Sequence, residues 1–219
     1  MIAANIQKIN QEIGNATRLI AVSKTKPVEA VLEAYQANQR IFGENKVQEM
    51  ASKYESLPKD IEWHLIGHLQ TNKVKYIAPF VSMIHSVDSL KLLSSIEKEA
   101  AKCNRAIPCL LQVFIATEET KFGLNQSELY DLLDQLKLNP MLHVQICGLM
   151  GMASNTENEQ QIRNEFEGLK LLFNEVKSTY FKDDGSFKEI SMGMSHDYKI
   201  AVEEGSTLIR VGSLIFGAR

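Results

Sequence analysis

The sequence predicts an α/β protein: a single (β/α)8 TIM-type barrel over residues 1–219, with one helix ahead of the first strand. Three observations lead there. Short β-branched or apolar runs recur eight times, and segments of helical period lie between most of them. Runs such as CLLQVFI and ICGLM are nearly all apolar, as strands buried on both faces should be, and parallel strands require helical crossovers. Eight such units in about 200 residues match the lower size range of the barrel. A doubly wound sheet is the rival. It needs a Gly-rich dinucleotide loop after its first strand, and VSKTKP is not one.

The elements follow in order. MIAANIQKINQEIG carries Ile6, Ile9 and Ile13 on one stripe, a helix ahead of the barrel. The apolar runs are Arg18–Lys24, Arg40–Glu44, Glu62–Gly67, Met83–Val87, Pro108–Ile115, Val144–Met150, Lys188–Gly193 and Leu208–Phe216. After the first run, Pro27 suits a helix opening, and Val28, Val31, Leu32 and Tyr35 form one stripe. Leu90, Leu93, Ile96 and Ala100 repeat that pattern between runs four and five. Asn125 and Glu128 resemble a capping pair ahead of Leu129, Leu132, Leu133 and Leu136. Thr156 and Glu159 read as a capping box ahead of Ile162, Phe166, Leu169, Phe173 and Val176. The turn KDDGS closes the longest crossover.

Composition narrows the function. The 24 Lys and Arg against 27 Asp and Glu give a net charge of −3, no footprint for nucleic acid or an anionic membrane. No stretch approaches the ~20 apolar residues that span a bilayer, and the N-terminus lacks signal-peptide character. Cys103, Cys109 and Cys147 lack metal or redox spacing, which suits a reduced cytoplasm. The expectation is a cytoplasmic protein, monomeric for want of an evident apolar surface.

Barrels place their chemistry at the C-terminal ends of the strands. Lys24 ends the first run and alternates onto one face with Ile20 and Val22, an amine over an apolar floor. Desolvation there favours the free amine that attacks an aldehyde; the alternative is a lysine that merely snorkels at a strand end. Gly193-Met194-Ser195, with Ser195 as N-cap of a short helix, and Gly212-Ser213 after the eighth strand offer backbone N–H groups and hydroxyls to a phosphate. They also read as plain turn residues. Arg210 lies in apolar LIRVG and faces either the barrel mouth or a structural ion pair. An amine, a phosphate cradle and a buried cation together describe pyridoxal 5′-phosphate (PLP).

At these residues the chain resembles the pyridoxal 5′-phosphate homeostasis proteins, whose fold resembles the N-terminal barrel domain of alanine racemase. The matching blocks are AVSKTKP (21–27), FGENKVQE (42–49), WHLIGHLQTNK (63–73), HSVDS (85–89), GLM (148–150), SMGMSHD (191–197) and GSTLIRVGSLIFGAR (205–219). The resemblance implies that Lys24 forms the Schiff base, that Ser195, Gly212 and Ser213 hold the phosphate, and that Arg210 faces the pyridine nitrogen. It places Asn45 and Met150 near the ring and Lys121 near the site. Lys46, where an aromatic residue is usual, and FIATEETKFG depart from the pattern at the rim. The implied role is storage or delivery of PLP in vitamin B6 homeostasis, through transient contact with apoenzymes and without robust catalysis.

The alternative is a low-activity racemase using the same lysine. Racemisation needs acid–base groups on both faces of the α-carbon. Alanine racemases bring the second, a tyrosine, from a separate C-terminal domain, and none is expected after the eighth strand here. Tyr198 reads as a helix-surface residue. His64 and His68 lack the helix and carboxylate of a metal pair, and His85 reads as buried with one hydrogen bond. Lys73–Tyr76 reads as a solvated helix face.

Overall fold

The computed structural model describes residues 1–117 and 123–217. Among these residues eight parallel strands close into a barrel in chain order. They are β1 (Arg18–Val22), β2 (Ile41–Glu44), β3 (Glu62–Leu65), β4 (Met83–Val87), β5 (Ile107–Gln112), β6 (Val144–Met150), β7 (Glu189–Met194) and β8 (Leu208–Val211). β8 returns to β1 with Ile20 opposite Arg210, which closes the ring and removes both sheet edges. α1 (Ile2–Ile13) precedes the barrel and buries Ile6, Ile9 and Ile13 as its stripe requires.

Crossovers run through α2 (Val28–Gln36), α3 (Val47–Ser56), α4 (Leu90–Lys102), α5 (Gln126–Leu138), α6 (Glu159–Tyr180) and α7 (Tyr198–Glu203). Between β3 and β4 the connection is only a 3₁₀ turn, Thr71–Tyr76, not the α-helical face that its lysines suggested. Asn125 and Glu128 form the reciprocal capping box of α5. The box expected at Thr156 is displaced: Asn158 caps α6 and Thr156 supports it by accepting from the Asn158 N–H.

Strand alternation divides the core in two. Leu19 and Ala21 of β1 face the helices and join the outer core, which includes Phe42, Trp63 and Phe166. Ile20 faces inward and meets Met83, Leu110, Cys147, Met150 and Leu208, an apolar cluster inside the barrel. Polar side chains share this interior: His64, His85, Ser191 and Arg210 are all at most 5% exposed.

Four strands, β1, β3, β5 and β8, stop short of their apolar runs, and two of these matter for the cavity. β1 ends at Val22, so Lys24 lies in the turn beyond it. β8 ends at Val211 because Gly212 breaks the ladder, and Ser213–Phe216 forms a short helix, α8. Apolar LIF therefore packs as a helical turn, Ile215 buried, instead of extending the strand.

Candidate functional site

A cavity of about 340 Å³ opens at the C-terminal end of the barrel, within the range of small-ligand sites. Lys24, Lys26 and Arg210 line it together with Asn45, Ser195 and Ser213. Among its described lining residues there is no Asp or Glu, although the chain as a whole is acidic. The cavity is a local concentration of positive charge and hydrogen-bond donors, suited to an anion.

The rim is built on a tight turn. The Lys26 N–H donates to the Ser23 carbonyl, which closes a β-turn with Lys24 and Thr25 at its centre. Thr25 adopts φ +64°, a left-handed conformation that a β-branched residue enters only when held. The hold comes from outside the cavity. The Thr25 N–H donates to Glu49 Oε1 (2.6 Å), and Lys53 Nζ ties Glu49 (2.8 Å) to Glu44 (2.7 Å) and to the Ser23 carbonyl (2.7 Å). Ser23 Oγ also donates to Glu44 Oε1 (2.6 Å). Burial pushes the Glu44 carboxyl up, against Lys53 and Ser23, which favour its charged form. Asn45 follows Glu44 into the cavity wall. Gly67 lies so close beneath it that a Cβ would stand 2.5 Å from the Asn45 carbonyl oxygen.

Arg210 forms part of the floor. Its guanidinium donates to Ser191 Oγ (2.6 Å) and to the Gly151 carbonyl (3.1 Å), both neutral. No ion pair holds it among the described residues, so the structural-pair alternative fails. Burial pulls its pKa down to about 10, with Asp197 acting in the opposite direction. It is still protonated roughly a thousandfold over at pH 7. A charged group this deep with only dipoles for partners is costly unless something in the cavity meets it.

Between rim and floor lie the loops after β7 and β8. Ser195 Oγ accepts from the Gly212 N–H at 3.3 Å, which joins them. Ser195 is not the helix cap expected of it. Asp197 occupies the N-cap position of α7, and its Oδ1 accepts from the Met194 N–H, so the Ser195 hydroxyl is turned to the cavity loops instead. At Gly212 a Cβ would stand 3.0 Å from the Val22 carbonyl oxygen, so the exits of β8 and β1 approach as only glycine permits.

The structure thus gathers Lys24, Asn45, Ser195, Arg210, Gly212 and Ser213 around one cavity. Met150 is not in the lining. It is 1% exposed within the inner apolar cluster, because the strand's inward pleat buries it beneath the mouth, and Met152 reaches the cavity in its place. Lys121 lies outside the described residues. Tyr198 is buried, not on a helix surface: its hydroxyl bonds Glu12 of α1, and it does not line the cavity. Sequence reasoning missed Lys26, whose Nζ also donates to the carbonyls of Phe216 and Gly217, and Ser191, whose partners come from distant strands.

Comparison with known proteins settles the family. The model for the N-terminal domain of alanine racemase matches residues 1–219. The chain belongs to that family. It is 40% identical over 222 residues to a pyridoxal phosphate homeostasis protein of Aquifex aeolicus, a match covering 100% of this chain and 95% of the relative. Among solved structures it is similar to PipY of Synechococcus elongatus without PLP, at 36% identity and a TM-score of 0.92 over 99% of this chain and 100% of the other. PipY with PLP bound gives 36% identity and a TM-score of 0.90 at the same coverage. The barrel found here is the fold of those structures.

Proposed function

We propose that this chain binds PLP in the cavity as a Schiff base on Lys24, with Ser195, Gly212 and Ser213 holding the phosphate and Arg210 facing the pyridine nitrogen. Asn45 stands beside the ring, and Met150 supports it from below. The observation that carries the reading is a cavity with two lysines and a buried arginine and no carboxylate among its described lining residues. The relatives named above, a pyridoxal phosphate homeostasis protein and a PLP-bound PipY, support it.

The residues fit the cofactor. Lys24 would supply the amine that an aldehyde cofactor requires. The backbone N–H groups and hydroxyls after β7 and β8 suit phosphate oxygens. Arg210 has only N–H groups to offer and stays protonated, so the nitrogen it faces accepts and carries no proton of its own. When bound, PLP supplies an electrophilic aldehyde and an electron sink, the latter weakened by an unprotonated ring.

That electronic setting, and a cavity without a tyrosine opposite Lys24 among its described lining residues, fit a holder of PLP better than a racemase. The role is storage or delivery in vitamin B6 homeostasis, by a cytoplasmic monomer whose 1–219 barrel carries the whole site and meets apoenzymes transiently. Neither nucleic acid nor a membrane enters it. No helix among the described residues is long and apolar enough to cross a membrane.

The test is delivery. Loaded protein mixed with a PLP-dependent apoenzyme should restore its activity faster than PLP escapes to a trapping amine. Transfer no faster than escape, together with rapid exchange of the alanine α-proton for deuterium, overturns the carrier in favour of the racemase.

A further inference from the structure

The barrel interior holds a polar string that the proposed function does not use. Arg210 Nη1 meets Ser191 Oγ at 2.6 Å, Ser191 Oγ meets His85 Nδ1 at 2.9 Å, and His85 Nε2 meets His64 Nδ1 at 2.9 Å. Four strands contribute one residue each: β8, β7, β4 and β3. His64, His85 and Ser191 are at most 2% exposed, and Arg210, at 5%, reaches the cavity.

Donor and acceptor counting gives the string a direction. A guanidinium only donates, so Ser191 Oγ accepts from Arg210. The Ser191 hydroxyl has one proton, and the described partner within reach of it is His85 Nδ1. Were Nδ1 protonated instead, that buried hydroxyl proton would be stranded, at a cost of about 1–3 kcal/mol. His85 Nδ1 therefore accepts, its Nε2–H donates to His64 Nδ1, and His64 carries its own proton on Nε2. The scheme needs both rings neutral. Burial holds His64 down to about 3 and His85 well below the usual histidine range, and the cations Arg18 and Arg210 push in the same direction.

We infer that His64, His85 and Ser191 are positioning residues: a one-way hydrogen-bond string that fixes the Arg210 guanidinium and leaves its remaining N–H groups for a ring acceptor in the cavity. Neutral partners are the point. A carboxylate at position 191 would orient Arg210 equally well but would neutralise it, whereas a hydroxyl locked by two imidazoles orients it and leaves the charge available. The consequence for PLP rests on the function proposed above; the string itself stands on this chain's own atoms.

The test reads the string without cofactor. In ¹⁵N-labelled full-length protein, His64 and His85 should both be neutral Nε2–H tautomers from pH 5.5 to 8, and the Arg210 guanidinium should rotate slowly. Ser191→Ala should speed that rotation, disturb the His85 tautomer and weaken PLP binding roughly ten- to hundredfold, as expected for a lost hydrogen bond to a charged group. An Nδ1–H tautomer or a charged imidazole at either histidine overturns the inference, and so does a Ser191→Ala protein whose Arg210 signals are unchanged. The parent protein's tautomers decide the matter even if the variant does not fold. A parent that takes up no PLP overturns the functional reading alone, and the string is then judged on those signals.

Discussion

The cavity holds the Lys24 amine and the Arg210 guanidinium in place by opposite means. At the rim, the Lys24 turn is propped from outside by Glu49 and Glu44, two carboxylates bridged by the Lys53 ammonium at 2.7–2.8 Å. At the floor, Arg210 is held from inside by a hydroxyl, a carbonyl and two neutral imidazoles. Each prop suits what it holds. Carboxylates engaged by an ammonium and a backbone N–H fix a turn from outside the cavity, whereas a neutral prop fixes a cation without quenching it. Ligand-facing charge belongs with the second arrangement.

The comparison breaks most visibly at Lys53. Lys53→Met leaves Glu44, fully buried, without its cation, and removing one member of a buried pair typically costs about 3–5 kcal/mol. Urea unfolding of the variant should show a loss of that size; a loss below about 1 kcal/mol would mean that the rim prop is not an ion cluster in solution.

The floor should answer to pH. His64 and His85 are depressed in the folded protein, so below about pH 6.5 the unfolded chain binds protons that the folded one refuses. Their contribution is intact above pH 6.5 and is lost progressively as pH falls toward 3, at up to about 1.4 kcal/mol per pH unit for each ring. The raised Glu44 acts with the opposite sign, favouring the folded state as pH falls. The comparison is therefore between the parent and His64→Phe/His85→Phe at each pH, and the parent should lose more stability between pH 6.5 and 5. Equal losses would place charged or exposed histidines in the barrel.

Thr25 gives the smallest effect. A left-handed non-glycine residue costs about 1–3 kcal/mol, and glycine recovers part of that at an entropic cost of its own. Thr25→Gly should stabilise the protein by about 1 kcal/mol in urea while loosening the Lys24 turn, read as weaker PLP retention. Unchanged retention would show that the rim prop does not serve Lys24.

What the sequence disclosed follows the range of the physics. Strand period and the strand-end rule need only local reading, and they pointed to Lys24, Ser195, Arg210, Gly212 and Ser213, which line one cavity. The cap at Ser195 failed because Asp197, two residues on, competes for the same helix start. Met150 was placed by resemblance, and the pleat that buries it below the lining follows from strand register. The string behind Arg210 was out of reach: His85 and Ser191 are 106 residues apart and meet only because the barrel closes. No local pattern encodes that contact.

Everything proposed for the cavity depends on Lys24, beside a charged Arg210, taking the aldehyde of PLP. Borohydride reduction of the loaded protein followed by peptide mapping tests it directly. One pyridoxyl group is expected, on the peptide carrying Lys24, and none in Lys24→Ala. Label on Lys26 in place of Lys24, or equal labelling of the variant, would contradict it.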